Sequence, residues 1–407
     1  MVPDEFLQEA PKTDLHLHLD GSIRIPTLVE LAKQYGVELP ADTETGLRKT
    51  LFKESYSSLG EYLKGFSYCT AVLQSEVALE RVAYELAIDN QREGVRYMEV
   101  RFAPQLHVHE HLSFENVLRA VNRGFEKAQK EFNAQSAVAD GREPPFAYGI
   151  IVCALRMFVK EASEYYAHIL RVHKHSDPRW VYAVASLELS RAAVQIRNRY
   201  KLPIVGIDLA GQEAGYPAVD HSEAFAYAHK HFLKKTVHAG EAYGPESIFQ
   251  AITELYADRI GHGTHLFDAD MIKDPEIVDP ESYVADLAQF IADRRITLEI
   301  CLTSNLQTHP ELQDLSQHKY RDMAASKLST TFCTDNRTIS RTTVTGELRK
   351  AIENLDVSRK ELRNSIIYGF KRSFYPGSYL EKRKYVRRII DYYTEVERRY
   401  GLDKYEN

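Results

Sequence analysis

One pattern constrains this chain more than any other. Short β-forming runs alternate with longer stretches of helical spacing, eight times over. The runs are TDLHLHL (13–19), VRYMEVRF (95–102), FAYGIIVCA (146–154), IVGIDLA (204–210), KTVHAG (235–240), RIGHG (259–263), TLEICLTS (297–304) and STTFCTD (329–335). Several are almost continuously apolar, as parallel strands covered on both faces must be. The stretches between them, such as SEVALERVAYELAIDNQREG, repeat apolar residues at helical spacing. Alternation of this kind predicts a parallel α/β fold. Eight repeats predict a closed (β/α)8 barrel of TIM type rather than an open sheet.

At 407 residues the chain is long enough for two or three domains, but one α/β barrel with insertions also fills that length. With no clear linker in the sequence, a single barrel domain over 1–407 is expected. Extra helices fall in two places. One is an insertion at about 22–94, including SLGEYLKGF at 58–66, which can cover a barrel mouth. The other is a charge-rich helical segment at about 345–407, expected to present solvated faces. NAQSAVADGREPP (133–145) reads as an exposed loop.

Composition removes several classes of function. The chain is 44% hydrophobic and 27% charged, with a formal net charge of −6. That balance supports a globular core and offers no basic surface for nucleic acid or acidic lipid. No apolar run reaches the roughly 18 residues that span a membrane. The start, MVPDEFLQEAPKTD, lacks the basic and apolar regions of a signal peptide. Cys69, Cys153, Cys301 and Cys333 form no CxxC pair and read as buried reduced thiols of a cytoplasmic protein.

Barrel active sites lie at the C-terminal ends of the strands, so the residues that end each run are where chemistry is expected. The first run ends in His16, His18 and Asp20, and the fourth in Asp208, Gly211 and Glu213. The fifth ends in His238, Gly240 and Glu241, the sixth in His262, and the eighth in Asp335 and Asn336. One histidine so placed is an ordinary core residue; four strand ends repeating the feature point to a shared site. Residues i and i+2 of a strand share a face, so His16 and His18 can point together into the barrel. With His238 and Asp335 they make three imidazoles and a carboxylate, which with one open position suits a catalytic Zn2+ ion.

Such an ion lowers the pKa of bound water from about 15.7 to near 7. Asp335 and His262 can accept a proton from that water or orient it. Glu241, three residues past His238, can face a substrate and donate a proton to a ring nitrogen. A rival cluster, HVHEH at 107–111, precedes a polar helix start and is expected in a loop, exposed or behind the site.

Taken together in order, HLHLDGS, DLAGQE, HAGE, GHG and the TD of the eighth run resemble the adenosine deaminase family, over about residues 10–370. The resemblance implies a one-zinc (β/α)8 barrel that hydrolyses the 6-amino group of adenosine or 2'-deoxyadenosine, giving inosine and ammonia. It implies His16, His18, His238 and Asp335 as the metal ligands and Glu241 as proton donor to N1. It further implies His262 and Asp335 as the groups handling the water, Gly211 N–H at purine N3 and Asp20 at a ribose hydroxyl. The helix carrying Leu59, Tyr62, Leu63 and Phe66 resembles the family's apolar cover, and His18 would border the substrate. The expected partner is a small purine nucleoside.

One position departs from the pattern. Many members carry a second aspartate after the ligand Asp335, at purine N7; here Asn336 follows, whose amide can donate to an unprotonated N7. Other functions leave different marks. A binuclear hydrolase needs a lysine at the end of the fourth strand, which IVGIDLAG lacks. A cytidine-type deaminase needs HxE and PCxxC ligands, which are absent. A purine-binding protein without activity is expected to lose a ligand or the glutamate. A deaminase of free adenine or of another 6-aminopurine derivative stays open.

Overall fold

A computed structural model describes residues 2–56, 59–309 and 312–403. Eight strands form one sheet in sequence order: β1 (Lys12–His18), β2 (Val95–Phe102), β3 (Ala147–Leu155), β4 (Ile204–Ala210), β5 (Lys234–Ala239), β6 (Arg259–His262), β7 (Thr297–Ile300) and β8 (Ser329–Phe332). Every neighbouring pair is parallel. The two edges meet through a parallel bridge between Leu17 and Asp335. There His18 N–H donates to Asp335 O at 2.8 Å and Asp335 N–H to His16 O at 2.8 Å. This is a (β/α)8 barrel, and its seam is stitched by three residues expected to hold a metal.

The strands are buried along nearly their whole length, which explains their continuous apolar reading. Helices cover the outside and pack Leu, Ile, Val and Phe against them. Among the described residues the insertion after β1 holds four helices, Ile25–Tyr35, Glu44–Thr50, Leu59–Val72 and Glu76–Arg92, and the C-terminal segment three, Val344–Asn354, Arg359–Arg372 and Tyr379–Arg399. The last two start with full capping boxes, Ser358 with Glu361 and Ser378 with Glu381. No helix among the described residues is long and apolar enough to cross a membrane. All four cysteines are buried and free.

Three expectations are corrected. The run TLEICLTS is strand only to Ile300; Leu302–Thr308 is helix, opened by Asn305 N–H donating to Cys301 O at 2.8 Å. A short buried apolar run has no periodicity that separates strand from helix. The strand in STTFCTD ends at Phe332, and Asp335 is reached by a turn with φ of 58°. The stretch 133–145 is no plain exposed loop: Ser136–Ala139 is a helical turn whose Val138 is buried.

Candidate active site

Alternation along β1 brings His16 and His18 to one centre from adjacent positions of the same face. His238 arrives from β5 and Asp335 from the turn after β8. His16 Nε2 and His18 Nε2 lie 3.0 and 3.2 Å from His238 Nε2, and 3.5 and 3.4 Å from Asp335 Oδ1. Ligands about 2.0–2.1 Å from one tetrahedral ion stand ~3.3 Å apart, so these edges fit a single metal ion. The donor chemistry fits as well. Two of the rings are anchored through the opposite nitrogen: His16 Nδ1 lies 2.9 Å from Glu299 Oε2, and His238 Nδ1 lies 3.0 Å from Asp208 Oδ2. That carboxylate backing fixes the ring and leaves Nε2 bare for a metal. Burial, with the neighbouring imidazoles, holds His18 well below the ordinary histidine pKa, as a neutral ligand requires. Burial opposes ionisation of Asp335, yet the hydrogen bond and charge of His16, with His18 and His262, hold it well below the carboxylate range.

Behind the ligands lies a charged layer that the sequence reading passed over, apart from Asp208 as a strand end. Arg101 donates to Asp208 Oδ2 at 3.1 Å and to Glu299 Oε2 at 2.8 Å. Arg259 donates to Glu299 Oε1 at 2.6 Å and to Glu99. All five side chains are buried in the barrel. Breaking such a buried pair typically costs about 3–5 kcal/mol, because a charge is left uncompensated. The only signal was charge inside otherwise apolar runs: Glu299 in TLEI and Glu99 and Arg101 in VRYMEVRF.

Glu241 sits in the turn after β5, its Oε1 3.8 Å from His262 Nε2. Glu213 builds that turn. Its carboxylate accepts from the backbone N–H groups of Gly240, Glu241, Ala242 and Tyr243 at 2.6–3.1 Å, and from Ser247 Oγ. On the other side, His309 Nε2 lies 2.6 Å from Glu241 O. Sequence reasoning saw Glu213 as one more polar strand end; its task is to hold the backbone that carries Glu241.

Asp20 is buried, one carboxylate oxygen has no partner among the described residues, and burial pushes its pKa up to about 7. Gly211 has φ of 90°, which only glycine adopts freely, at the turn after β4. Asn336 Nδ2 donates to Tyr62 Oη at 2.7 Å, while its Oδ1 has no partner among the described residues. Tyr62 Oη also lies 3.0 Å from Ser340 Oγ. So the cover at this point is more polar than an apolar helix would be. From the same helix, Phe66 meets the His18 ring at 6.2 Å, edge to face. Leu63 is exposed. Leu59 opens the helix, and its side chain lies outside the described residues.

The HVHEH residues lie away from the ligand cluster. His107 Nδ1 is 2.9 Å from Leu73 O and His109 Nε2 is 3.2 Å from Gln74 O; His111 is exposed. The segment is a loop as expected, but His107 within it is fully buried. After the 3-10 turn Pro104–Leu106 the His107 ring reaches the Leu73 carbonyl, just past the helix Leu59–Val72.

Known proteins show the same architecture. The family model described as adenosine deaminase matches residues 11–177 and 178–392. The adenosine deaminase of Mycobacterium tuberculosis is 35% identical over 374 residues, 91% of this chain and 92% of that protein. An amidohydrolase from Burkholderia ambifaria, solved with bound Zn, has a TM-score of 0.76 at 18% identity over 97% of this chain and 93% of its own. The N6-mAMP deaminase of Arabidopsis has a TM-score of 0.71 at 25% identity, over 95% and 99%.

Proposed function

Because this chain belongs to the adenosine deaminase family, hydrolases of C–N bonds in cyclic amidines, we propose that it carries out zinc-dependent hydrolytic deamination of adenosine and 2'-deoxyadenosine to inosine or 2'-deoxyinosine and ammonia. The observation that carries this reading is a four-donor cluster, three imidazoles and a carboxylate, with Glu241 3.8 Å from the adjoining His262. His16, His18, His238 and Asp335 would hold the ion. When bound, zinc supplies a water acidified from about 15.7 to near 7.

The chain's own groups do the rest. Glu241 gives a proton to N1, which drains electron density from C6 and readies it for attack. Asp335 and His262 hold the attacking water, and between them orient it and take up its proton. Gly211 N–H faces N3, Asn336 faces N7, and Asp20 meets a ribose hydroxyl. Tyr62 and Phe66 keep bulk water from the ring. Exclusion of water strengthens each of these polar contacts.

A nucleoside is favoured over a nucleotide by the state of the nearby cations. Arg337 is half-buried and donates to Glu93 and Asn90. Arg156 donates to Tyr216 O at 2.7 Å and to His238 O at 2.8 Å. Neither is left for a phosphate, and Asp20 would repel one. Free adenine or another 6-aminopurine derivative would use the same centre without the Asp20 contact.

The test is an ultraviolet assay on adenosine, 2'-deoxyadenosine, adenine, AMP and N6-methyl-AMP, together with metal analysis. Adenosine should lead, and Asp20→Ala should narrow its advantage over adenine. Faster turnover of adenine or AMP than of adenosine overturns the substrate assignment.

A further inference from the structure

His262 is the one titratable side chain in this site whose role the ligand geometry leaves open. Its Nε2 faces Glu241, and its ring lies 4.8 Å from that of His16. It could bind the ion or accept a proton, both of which need a bare Nε2, or donate a hydrogen bond, which needs Nε2–H. The residues behind the ring decide between them.

A chain of hydrogen bonds runs from the backbone to this ring. Tyr320 N–H donates to His318 Nδ1 at 3.1 Å. A backbone N–H can only donate, so His318 Nδ1 is bare and the proton of the neutral ring sits on Nε2. Burial pushes the His318 pKa down to about 4, which keeps the ring neutral. His318 Nε2 lies 3.4 Å from Asn305 Oδ1 and therefore donates to it. Asn305 Oδ1 thus faces His318, and Asn305 Nδ2, 3.1 Å from His262 Nδ1, donates to that nitrogen. Turning the amide over would set its NH2 against the N–H of His318, two donors face to face. The direction of the whole chain is fixed at its first link.

We propose that Asn305 and His318 are positioning residues that hold His262 in its Nε2–H form, so that this histidine presents a donor, not a lone pair, to the reacting centre. A protonated Nε2 cannot ligate a metal, which separates His262 from His16, His18 and His238. Nor can it receive a proton from water at that atom. Its N–H instead donates to the oxygen of the attacking water and steadies the charge that develops there. When the water's O–H bond breaks, the proton goes to the Asp335 carboxylate. The nearby Glu241 Oε1 also suits an N–H facing it. This inference rests on the proposed reaction only for what the donor does, since the hydrogen-bond chain exists without substrate.

The test is long-range 1H–15N NMR of protein labelled with 15N-histidine, metal-free and zinc-loaded, with the His262 signals identified by their loss in His262→Gln. Wild type should show a protonated Nε2 and a bare Nδ1. Asn305→Asp, an acceptor only, should move the His262 proton to Nδ1. That variant should lower kcat about 10–100-fold with zinc content unchanged and KM within a few-fold. His318→Gln, which still offers an N–H to Asn305, should keep the Nε2–H form. Should Asn305→Asp not fold, the wild-type spectrum and His318→Gln decide alone. A protonated Nδ1 in wild type, or no change of tautomer in folded Asn305→Asp, overturns the proposal. An enzyme with the Nε2–H form that deaminates no 6-aminopurine would overturn the proposed reaction and leave the positioning role standing.

Discussion

Two His-x-His pairs with identical spacing meet opposite fates in this molecule. His16 and His18 lie on a strand, where the extended backbone sends residues two apart to the same face. Both rings reach His238, at 3.0 and 3.2 Å. His107 and His109 lie beyond the strand, after a 3-10 turn, and each bonds a different backbone carbonyl, those of Leu73 and Gln74. Those carbonyls directly follow the helix Leu59–Val72, so the second pair fastens the end of the helix that carries Tyr62 and Phe66. One pair builds the centre and the other secures its cover. Ligand spacing has meaning only in the backbone frame that presents it.

The largest expected effect is the direct contrast of the two pairs. His16→Ala or His238→Ala should lose bound metal and essentially all activity while circular dichroism still reports the folded barrel. His107→Ala should keep metal and kcat within a few-fold, and lose about 1–3 kcal/mol of stability for the helix carbonyl left unpaired. Metal analysis and denaturant titration of the same preparations check both. Metal loss in His107→Ala, or its retention in His16→Ala, would break the distinction.

Next comes Glu241, which belongs to the centre by position and not by ligation. Glu241→Gln should retain metal and lose about 10²–10⁴-fold in turnover, the usual worth of a positioned proton donor. A variant within a few-fold of the parent would refute the role.

How far the sequence foretold these regions follows from the physics of each. The strands were legible because burial on both faces leaves an uninterrupted apolar run, and their ends because histidine and carboxylate do not belong in such runs. The supporting layer was not. Arg101 with Glu299, and Glu99 with Arg259, pair only across the closed barrel, 198 and 160 residues apart in the chain, and no local pattern announces that. Asn305 was hidden differently. The run 297–304 was taken as strand to its end, and the helix that carries Asn305 toward His262 begins inside it. Tyr62 was read as an apolar cover residue, since nothing in the sequence shows its hydroxyl meeting Asn336.

The third effect sharpens the comparison through pH. Burial lowers the His107 pKa to about 4, and burial likewise lowers His221 to about 3 and His318 to about 4. In the unfolded chain each titrates near 6.5. Below that pH the unfolded chain takes up protons that the folded chain refuses, so stability falls as acidity rises from pH 6.5 to 4. His107 alone should account for up to about 3 kcal/mol at pH 4. His107→Gln, which does not titrate, should flatten the dependence of the unfolding midpoint on pH over that window. An unchanged slope would mean that His107 is charged in the folded protein.

The smallest effect lies where the two regions touch. Asn336 follows a ligand of the centre, and Tyr62 belongs to the helix that the second pair secures; one amide N–H joins them, at 2.7 Å. The amide carries a second N–H, which in the proposed reaction would donate to purine N7. Gly21 makes room for this side chain, because a Cβ there would stand 1.8 Å from Asn336 Oδ1. Replacing adenosine by its 7-deaza analogue should remove one ordinary hydrogen bond, about 0.5–1.5 kcal/mol in kcat/KM. Tyr62→Phe should cost a similar amount, because the amide loses the partner that orients it. The two losses should be less than additive, since both act through the same amide. Full additivity would show that Tyr62 and N7 do not share Asn336, and that the cover and the centre are coupled by packing alone.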